Sequence, residues 1–302
     1  MNNVLICKHI MEVKVIKPFG YCAGVEHAIL MAINVKLKNP NRHVVILGML
    51  VHNHDTLKML KKEGVDVIYK KGKTYLELID EVKDDDIVIL TAHGHAIEVE
   101  TILKDRRIEY VDTTCPFVKK NHERIIKALN EGHEVIYIGK ENHPEAIAAL
   151  SLNKDKVHLL DINKNNKLHL KDESPFVVNQ TTLSELEISQ IVENLYEIYP
   201  KAIITDTVCY SSIERQKAIL SIDKNTDIIY VLGSTISNNT LTLKKLAEES
   251  HPNSKVIMIE NASFINKEDL KGVKKVAITS GASTSKETVL EVKEFLEKKL
   301  KS

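Results

Sequence analysis

The sequence has no surplus of either charge, no long apolar run and no closely spaced cysteine pair. Among 302 residues, Lys and Arg total 42 and Asp and Glu total 42. That balance lacks the basic excess that nucleic acid or an anionic membrane demands. The longest apolar runs are strand-sized, such as IIYVLG at 228–233, so none can span a bilayer. Charges run through MNNVLICKHIMEVKV, where a signal peptide would need its apolar centre. The expected location is therefore the cytoplasm, where thiols stay reduced. Four cysteines without a CxxC pair exclude a zinc ribbon, a ferredoxin-type site or a thioredoxin-like site built in one loop. Any metal site must be assembled from distant parts of the fold. GxxxxGK[ST] is also absent, as is GxGxxG after a strand, so neither a nucleoside triphosphatase nor a dinucleotide fold is indicated.

What the sequence does contain is a threefold repeat. Three segments read as a short apolar strand, a turn, a cysteine and a helical pattern: VKVIKPFGYCAGVEHAI (13–29), EYVDTTCPFVKKNHERI (109–125) and AIITDTVCYSSIERQKAI (202–219). Their cysteines, Cys22, Cys115 and Cys209, stand 93 and then 94 residues apart. Two further units follow each cysteine, each an apolar strand, a Gly/Ser/Thr/His/Asn loop and a helix pattern. They are VVILGMLVHNHD (44–55) and DIVILTAHGHA (86–96), EVIYIGKENHPEA (134–146) and FVVNQTTLSEL (176–186), then IIYVLGSTISNN (228–239) and VAITSGASTSKE (276–287). His52, His143 and Asn239 stand 30, 28 and 30 residues after their cysteines, and His93, Thr181 and Ser283 stand 71, 66 and 74 after them.

Continuous apolar strands alternating with helices predict parallel sheets covered on both faces, with ligand loops at the strands' carboxyl ends. The expected fold is α/β: three similar lobes with parallel sheets in a pseudo-threefold arrangement around a central cavity. Their expected boundaries are 11–108 with Cys22, 109–201 with Cys115 and 202–302 with Cys209. Residues 1–10, with Cys7, read as an N-terminal extension without a role. The polar stretch 151–173 reads as irregular surface.

One thiolate from each lobe would hold a metal or cluster with one position left open, as catalytic sites keep and structural sites do not. A helix starting just after each cysteine favours the thiolate. The bland alternative is three buried apolar cysteines. Equal spacing in matching contexts favours the metal. In the loops, His52, His93, His143, Ser237, Asn239 and Ser283 at helix N-termini suit a phosphate or diphosphate. For Ser and Asn, plain helix capping is the competing reading. In HPE (143–145), Pro144 fits the first helical position and Glu145 suits the helix dipole. Pointed instead into an enclosed cavity, Glu145 would have a raised pKa and deliver protons, with Thr181 and Thr182 as relay.

Taken in order, GYCAGVEHAI, LVHN, AHG, DTTCP, HPE, QTTLS, CYSSIERQ, GSTISNN and SGAST resemble the motif set of the 4-hydroxy-3-methylbut-2-enyl diphosphate reductases, over about residues 13–290. The resemblance implies a [4Fe–4S] cluster on Cys22, Cys115 and Cys209, with an open iron for the substrate hydroxyl. It implies diphosphate binding at His52, His93, His143, Ser237, Asn239 and Ser283, with Asn238 where the family usually has Ser. Proton delivery falls on Glu145 and Thr181, with Thr182 adjacent. Two electrons and two protons would remove the hydroxyl as water, giving isopentenyl and dimethylallyl diphosphates in the last step of the non-mevalonate isoprenoid pathway. A reduced ferredoxin or flavodoxin would supply the electrons to a protein expected to be a monomer. The chain departs from the family at His95, Ala96, Lys140, Asn142, Ile236 and Asn238. Three rivals compete: a non-catalytic cluster or zinc sensor, a cysteine-nucleophile transferase, and a paralogue acting on another phosphorylated alcohol.

Overall fold

A computed structural model describes residues 11–164, 168–205 and 207–298; Cys7 and the rest of residues 1–10 lie outside them. Its strands are Glu12–Val15 (β1), Val44–Leu47 (β2), Val65–Ile68 (β3), Ile87–Leu90 (β4), Glu109–Asp112 (β5), Val135–Gly139 (β6), Val157–Asp161 (β7), Phe176–Asn179 (β8), Ile203–Ile204 (β9), Ile228–Leu232 (β10), Lys255–Ile259 (β11) and Lys275–Ser280 (β12). They form three four-stranded sheets, ordered β3-β2-β4-β5, β7-β6-β8-β9 and β11-β10-β12-β1. Every neighbouring pair is parallel. The α/β class with three parallel sheets is therefore as expected.

The three orders are one topology. A fully apolar strand (β2, β6, β10) pairs at the centre with the next-but-one strand (β4, β8, β12), as in Val44 opposite Ile87 and Ile228 opposite Val276. The strand between them goes to one edge. The strand ahead of a cysteine takes the other edge, and β1, first in the chain, closes the third sheet. The chain thus changes sheets at each cysteine, not at the expected boundaries 108/109 and 201/202. The reason is local: EVKV, EYVD and II are short and half-exposed, as edge strands are, and the helix that follows carries the chain onward.

The helix Pro116–Asn130 shows the onward step. It leaves β5 of one sheet and buries Ile125 and Ala128 against Val135, Tyr137 and Val178 of the next. Ile125, Val135 and Val178 each stabilise the fold by about 1.5–3 kcal/mol. Matching cores join Val45, Leu90 and Leu103 in the first sheet and Tyr230, Ile278 and Leu296 in the third. The stretch 151–173 is less irregular than expected, since it contains β7 paired with β6. The chain divides into two compact units: the residues up to Tyr21 with those from Glu214 on, which hold the third sheet, and Cys22–Ile213, which hold the other two. Among the described residues, no helix is long and apolar enough to cross a membrane.

Candidate active site

In the first two sheets the two central strands send their connections to opposite edges, and in the third their flanking strands β11 and β1 lie at opposite edges. This makes the carboxyl ends of the central strands a topological switch point, where α/β sheets bind ligands. All the loop residues singled out in the sequence follow those central strands. His52 follows β2, His93 follows β4, His143 precedes a helix after β6, and Thr181 follows β8. Ser237, Asn238 and Asn239 follow β10, and Ser283 follows β12.

Within Cys22–Ile213, four of these loops come together. The His52 and His93 rings stack with centroids 4.2 Å apart. His143 meets both rings edge-on, at 5.5 and 5.6 Å. Burial lowers all three pKa values, that of His52 to about 4, so the rings are neutral at pH 7. His143 caps the helix Pro144–Ser151, its Nδ1 accepting from the Glu145 amide at 3.2 Å. In the neutral ring the proton must then sit on Nε2. That atom, like Nε2 of His93, is buried without a hydrogen-bond partner among the described residues. A buried donor left unmatched costs about 1–3 kcal/mol, so an incoming acceptor is favoured.

Glu145 is 2% exposed. Its carboxylate accepts from the Thr181 amide and from Thr181 Oγ1, both at 2.9 Å. Burial outweighs these bonds and raises its pKa to about 7. Glu145 Oε1 also lies 4.0 Å from His93 Nδ1. Donor atoms of His93, His143 and Glu145 lie within 4.8 Å of one another, close enough to hold an ion together. Thr182 accepts from Gln180 Nε2 at 3.0 Å, while Gln180 Oε1 accepts from the Lys140 amide at 3.1 Å. Gln180, fully buried, therefore ties the β6 and β8 loops together.

The same unit gathers the thiols. Cys22 and Cys115 are the residues preceding the helices Ala23–Lys38 and Pro116–Asn130, and Cys209 precedes Tyr210–Leu220. Each of the last two is fastened to a site loop: the Cys115 amide donates to Ala92 O, beside His93, and the Cys209 amide to Thr181 O, both at 3.0 Å. All three cysteines are free, and Cys115 lies in the fields of both other sulfurs. A Cβ on Gly24 would stand 2.7 Å from Cys115 Sγ, so only glycine fits there. Contrary to the helix-terminus expectation, burial raises the Cys115 pKa to about 11 and also raises that of Cys209. A gathered set of thiols in which Cys115 and Cys209 resist ionising unaided fits a cationic group, which would draw protons off them.

In the unit holding the third sheet, the corresponding loops carry no ionisable group. Ser237, Asn238, Asn239 and Ser283 are all buried. Ser237 Oγ caps its helix by accepting from the Thr240 amide at 3.4 Å, and Asn239 Oδ1 accepts from the Ala282 amide at 3.0 Å. The sequence reading gave no role to Arg215. Its buried guanidinium donates to Pro18 O at 2.9 Å, Gly20 O at 2.7 Å and Ser280 O at 3.3 Å, fixing the loop ahead of Cys22. An arginine at a position that must be buried on its helix is the signal that would have found it.

Several departures have local explanations. Asn142 has φ of 63°, a left-handed conformation that Asn tolerates where Gly is usual. His95 turns Nε2 to Glu100, 3.1 Å away on the following helix. Nothing in the structure explains Ile236.

A family model described as "LytB protein" matches residues 13–297. The chain is 38% identical to the 4-hydroxy-3-methylbut-2-enyl diphosphate reductase of Bacillus licheniformis, over 95% of this chain and 91% of that protein. It is 37% identical to the Bacillus subtilis enzyme of the same name, over 95% and 91%. The solved structure of the E-1-hydroxy-2-methyl-but-2-enyl-4-diphosphate reductase from Plasmodium falciparum superposes with a TM-score of 0.84 at 29% identity, covering 94% of this chain and 87% of that one. With matching motifs, matching sheets and a family match along nearly its whole length, the chain belongs to the LytB protein family.

Proposed function

We propose that the chain is a 4-hydroxy-3-methylbut-2-enyl diphosphate reductase, converting its allylic substrate to isopentenyl and dimethylallyl diphosphates at the end of the non-mevalonate isoprenoid pathway. Two electrons and two protons enter, and the hydroxyl leaves as water. The observation that carries this reading is the chain of contacts from Glu145 through Thr181 to Cys209, which ties a buried acid to a cysteine of the gathered set.

Cys22, Cys115 and Cys209 would hold one [4Fe–4S] cluster, which when bound supplies electrons and an open iron acting as Lewis acid toward the substrate hydroxyl. Glu145, with a pKa of about 7, holds a proton that an ordinary carboxyl would have lost, and delivers it to the leaving oxygen. Thr181 Oγ1 orients that carboxyl and relays the proton. The Nε2–H groups of His93 and His143 donate to diphosphate oxygens, with His52 stacked beside them. We assign the remaining diphosphate contacts to Thr182, Ser237, Asn238, Asn239 and Ser283. Anchored diphosphate fixes where the hydroxyl lies, which lowers the entropic part of the barrier. Electrons come from a reduced ferredoxin or flavodoxin, since the sequence carries no dinucleotide fingerprint. The chain works as a monomer in the cytoplasm, where its thiols stay reduced.

Anaerobic purification with iron and sulfide analysis, followed by assay of the allylic diphosphate with reduced methyl viologen, tests this. Equal iron and acid-labile sulfide with turnover is the expected result. Colourless protein after anaerobic reconstitution, with no sulfide, would overturn the cluster, and a loaded but inactive enzyme would overturn the reaction.

A further inference from the structure

The helix Pro116–Asn130 has a composition unlike the chain around it. It carries Lys119, Lys120, Arg124 and Lys127 against the single acid Glu123, in a protein whose total charges cancel. Lys119 is matched by Asp112 at 2.6 Å. Lys127 lies 3.8 Å from Glu131, with both side chains largely exposed. Lys120 and Arg124 have no carboxylate partner among the described residues. Phe117, Lys120, Arg124 and Lys127 are spaced by three or four residues, so they share one side of the helix.

At the start of that stripe stands Phe117, two residues after Cys115 and 48% exposed. Tyr210, directly after Cys209, is 66% exposed. A single exposed aromatic is unremarkable. Two of them, one directly after Cys209 and the other two residues after Cys115 at the head of a basic stripe, form a pattern. Electron transfer weakens steeply with distance, so a donor must approach where the path from sulfur to surface is shortest.

We propose that this stripe, from Phe117 through Lys120 and Arg124 to Lys127, is the docking surface for a small acidic carrier protein that delivers one electron per encounter. The inference rests on the reductase reading above. The carrier is oxidised by one electron as the enzyme's redox centre is reduced by one, and two encounters supply one turnover. Electrostatic steering suits such a contact: it speeds encounter, and a small interface lets the spent carrier leave.

The test uses anaerobic holoenzyme with two donors, photoreduced flavodoxin and reduced methyl viologen. In the double variant Lys120→Glu/Arg124→Glu, the flavodoxin concentration for half-maximal rate should rise about tenfold and lose most of its salt dependence, as for a lost steering patch. The viologen rate should stay unchanged. Lys201→Glu, on another exposed surface, should change neither. An unaltered flavodoxin dependence in the double variant overturns the proposal, as does a self-associated form that this variant dissolves without affecting flavodoxin. Should the double variant lose viologen activity too, Lys120→Gln/Arg124→Gln gives the same reading with the charges merely removed. If wild-type enzyme fails with viologen, the reductase reading falls alone, and binding of oxidised flavodoxin to the same variants still decides the docking surface.

Discussion

The loops after β10 and β12 stand at the same strand ends as those after β2, β4, β6 and β8, yet their chemistry differs. The first set offers Ser237, Asn239 and Ser283, which hydrogen-bond without changing charge. The second offers His52, His93, His143 and Glu145, whose pKa values burial has moved. Both sets are tightly framed: a Cβ on Gly233 or Gly281 would stand 2.3 or 2.2 Å from Thr240 Oγ1, and one on Gly48, after β2, 2.2 Å from Tyr75 Cε1. Topology fixes where a loop stands, and each lobe's own residues decide whether that loop can move a proton. One lobe's loops thus offer only neutral hydrogen-bonding groups, and the others offer groups that can change charge.

The contrast breaks most sharply at Glu145. Glu145→Gln keeps the shape and can still accept from Thr181, but it has no proton to give. Turnover with reduced viologen should fall about 10²- to 10⁴-fold, the usual contribution of a positioned general acid, while iron content stays as in wild type. Full activity in this variant would remove Glu145 from the mechanism. The sign of the pH dependence follows from the same group. Its acid form is present below about pH 7 and lost above it, so wild-type kcat should decline on the alkaline side.

Ser237→Ala probes the other set. Losing one hydroxyl donor to a charged oxygen costs about 1.5–3 kcal/mol, or roughly ten- to a hundredfold in KM. Its contribution as a cap is smaller, because the bond from the Thr240 amide is long at 3.4 Å. The alkaline decline in kcat should keep its wild-type midpoint, since no neutral loop sets it. A shifted midpoint would show that the two sets are not chemically separate.

How much of this was legible depended on burial. The central strands were found because they are apolar throughout, and the strands ahead of the cysteines because the cysteine contexts repeat. The outer edge strands β3, β7 and β11 were missed because they are only partly buried, and in VDVI and VHLLD a polar residue breaks the apolar run. Fixed spacing brought Cys22, Cys115 and Cys209 to notice, and the structure gathers them. Spacing could not reveal that burial would override the helix termini, because desolvation depends on what the other segments place around each sulfur. Gln180 and Arg215 were invisible for a related reason: both act by bridging backbone groups that are distant in sequence.

The smallest expected effect separates the sets through stability instead of rate. The His52 pKa is about 4 when folded, against 6.5 for an ordinary histidine, because its charged form is desolvated. As pH falls below 6.5 the unfolded chain takes up a proton that the folded chain refuses, so stability is lost from there down to about pH 4 and levels off below. At pH 5 the loss attributable to this group is ~2 kcal/mol. In His52→Asn the group is gone, so thermal unfolding scanned at pH 7 and pH 5 should show a smaller drop in the variant, by a few degrees. Ser237→Ala, with nothing to titrate, should drop as wild type does. An equal drop in all three proteins would mean that acid sensitivity comes from elsewhere, with His93 and His143, lowered by the same burial, the next groups to replace.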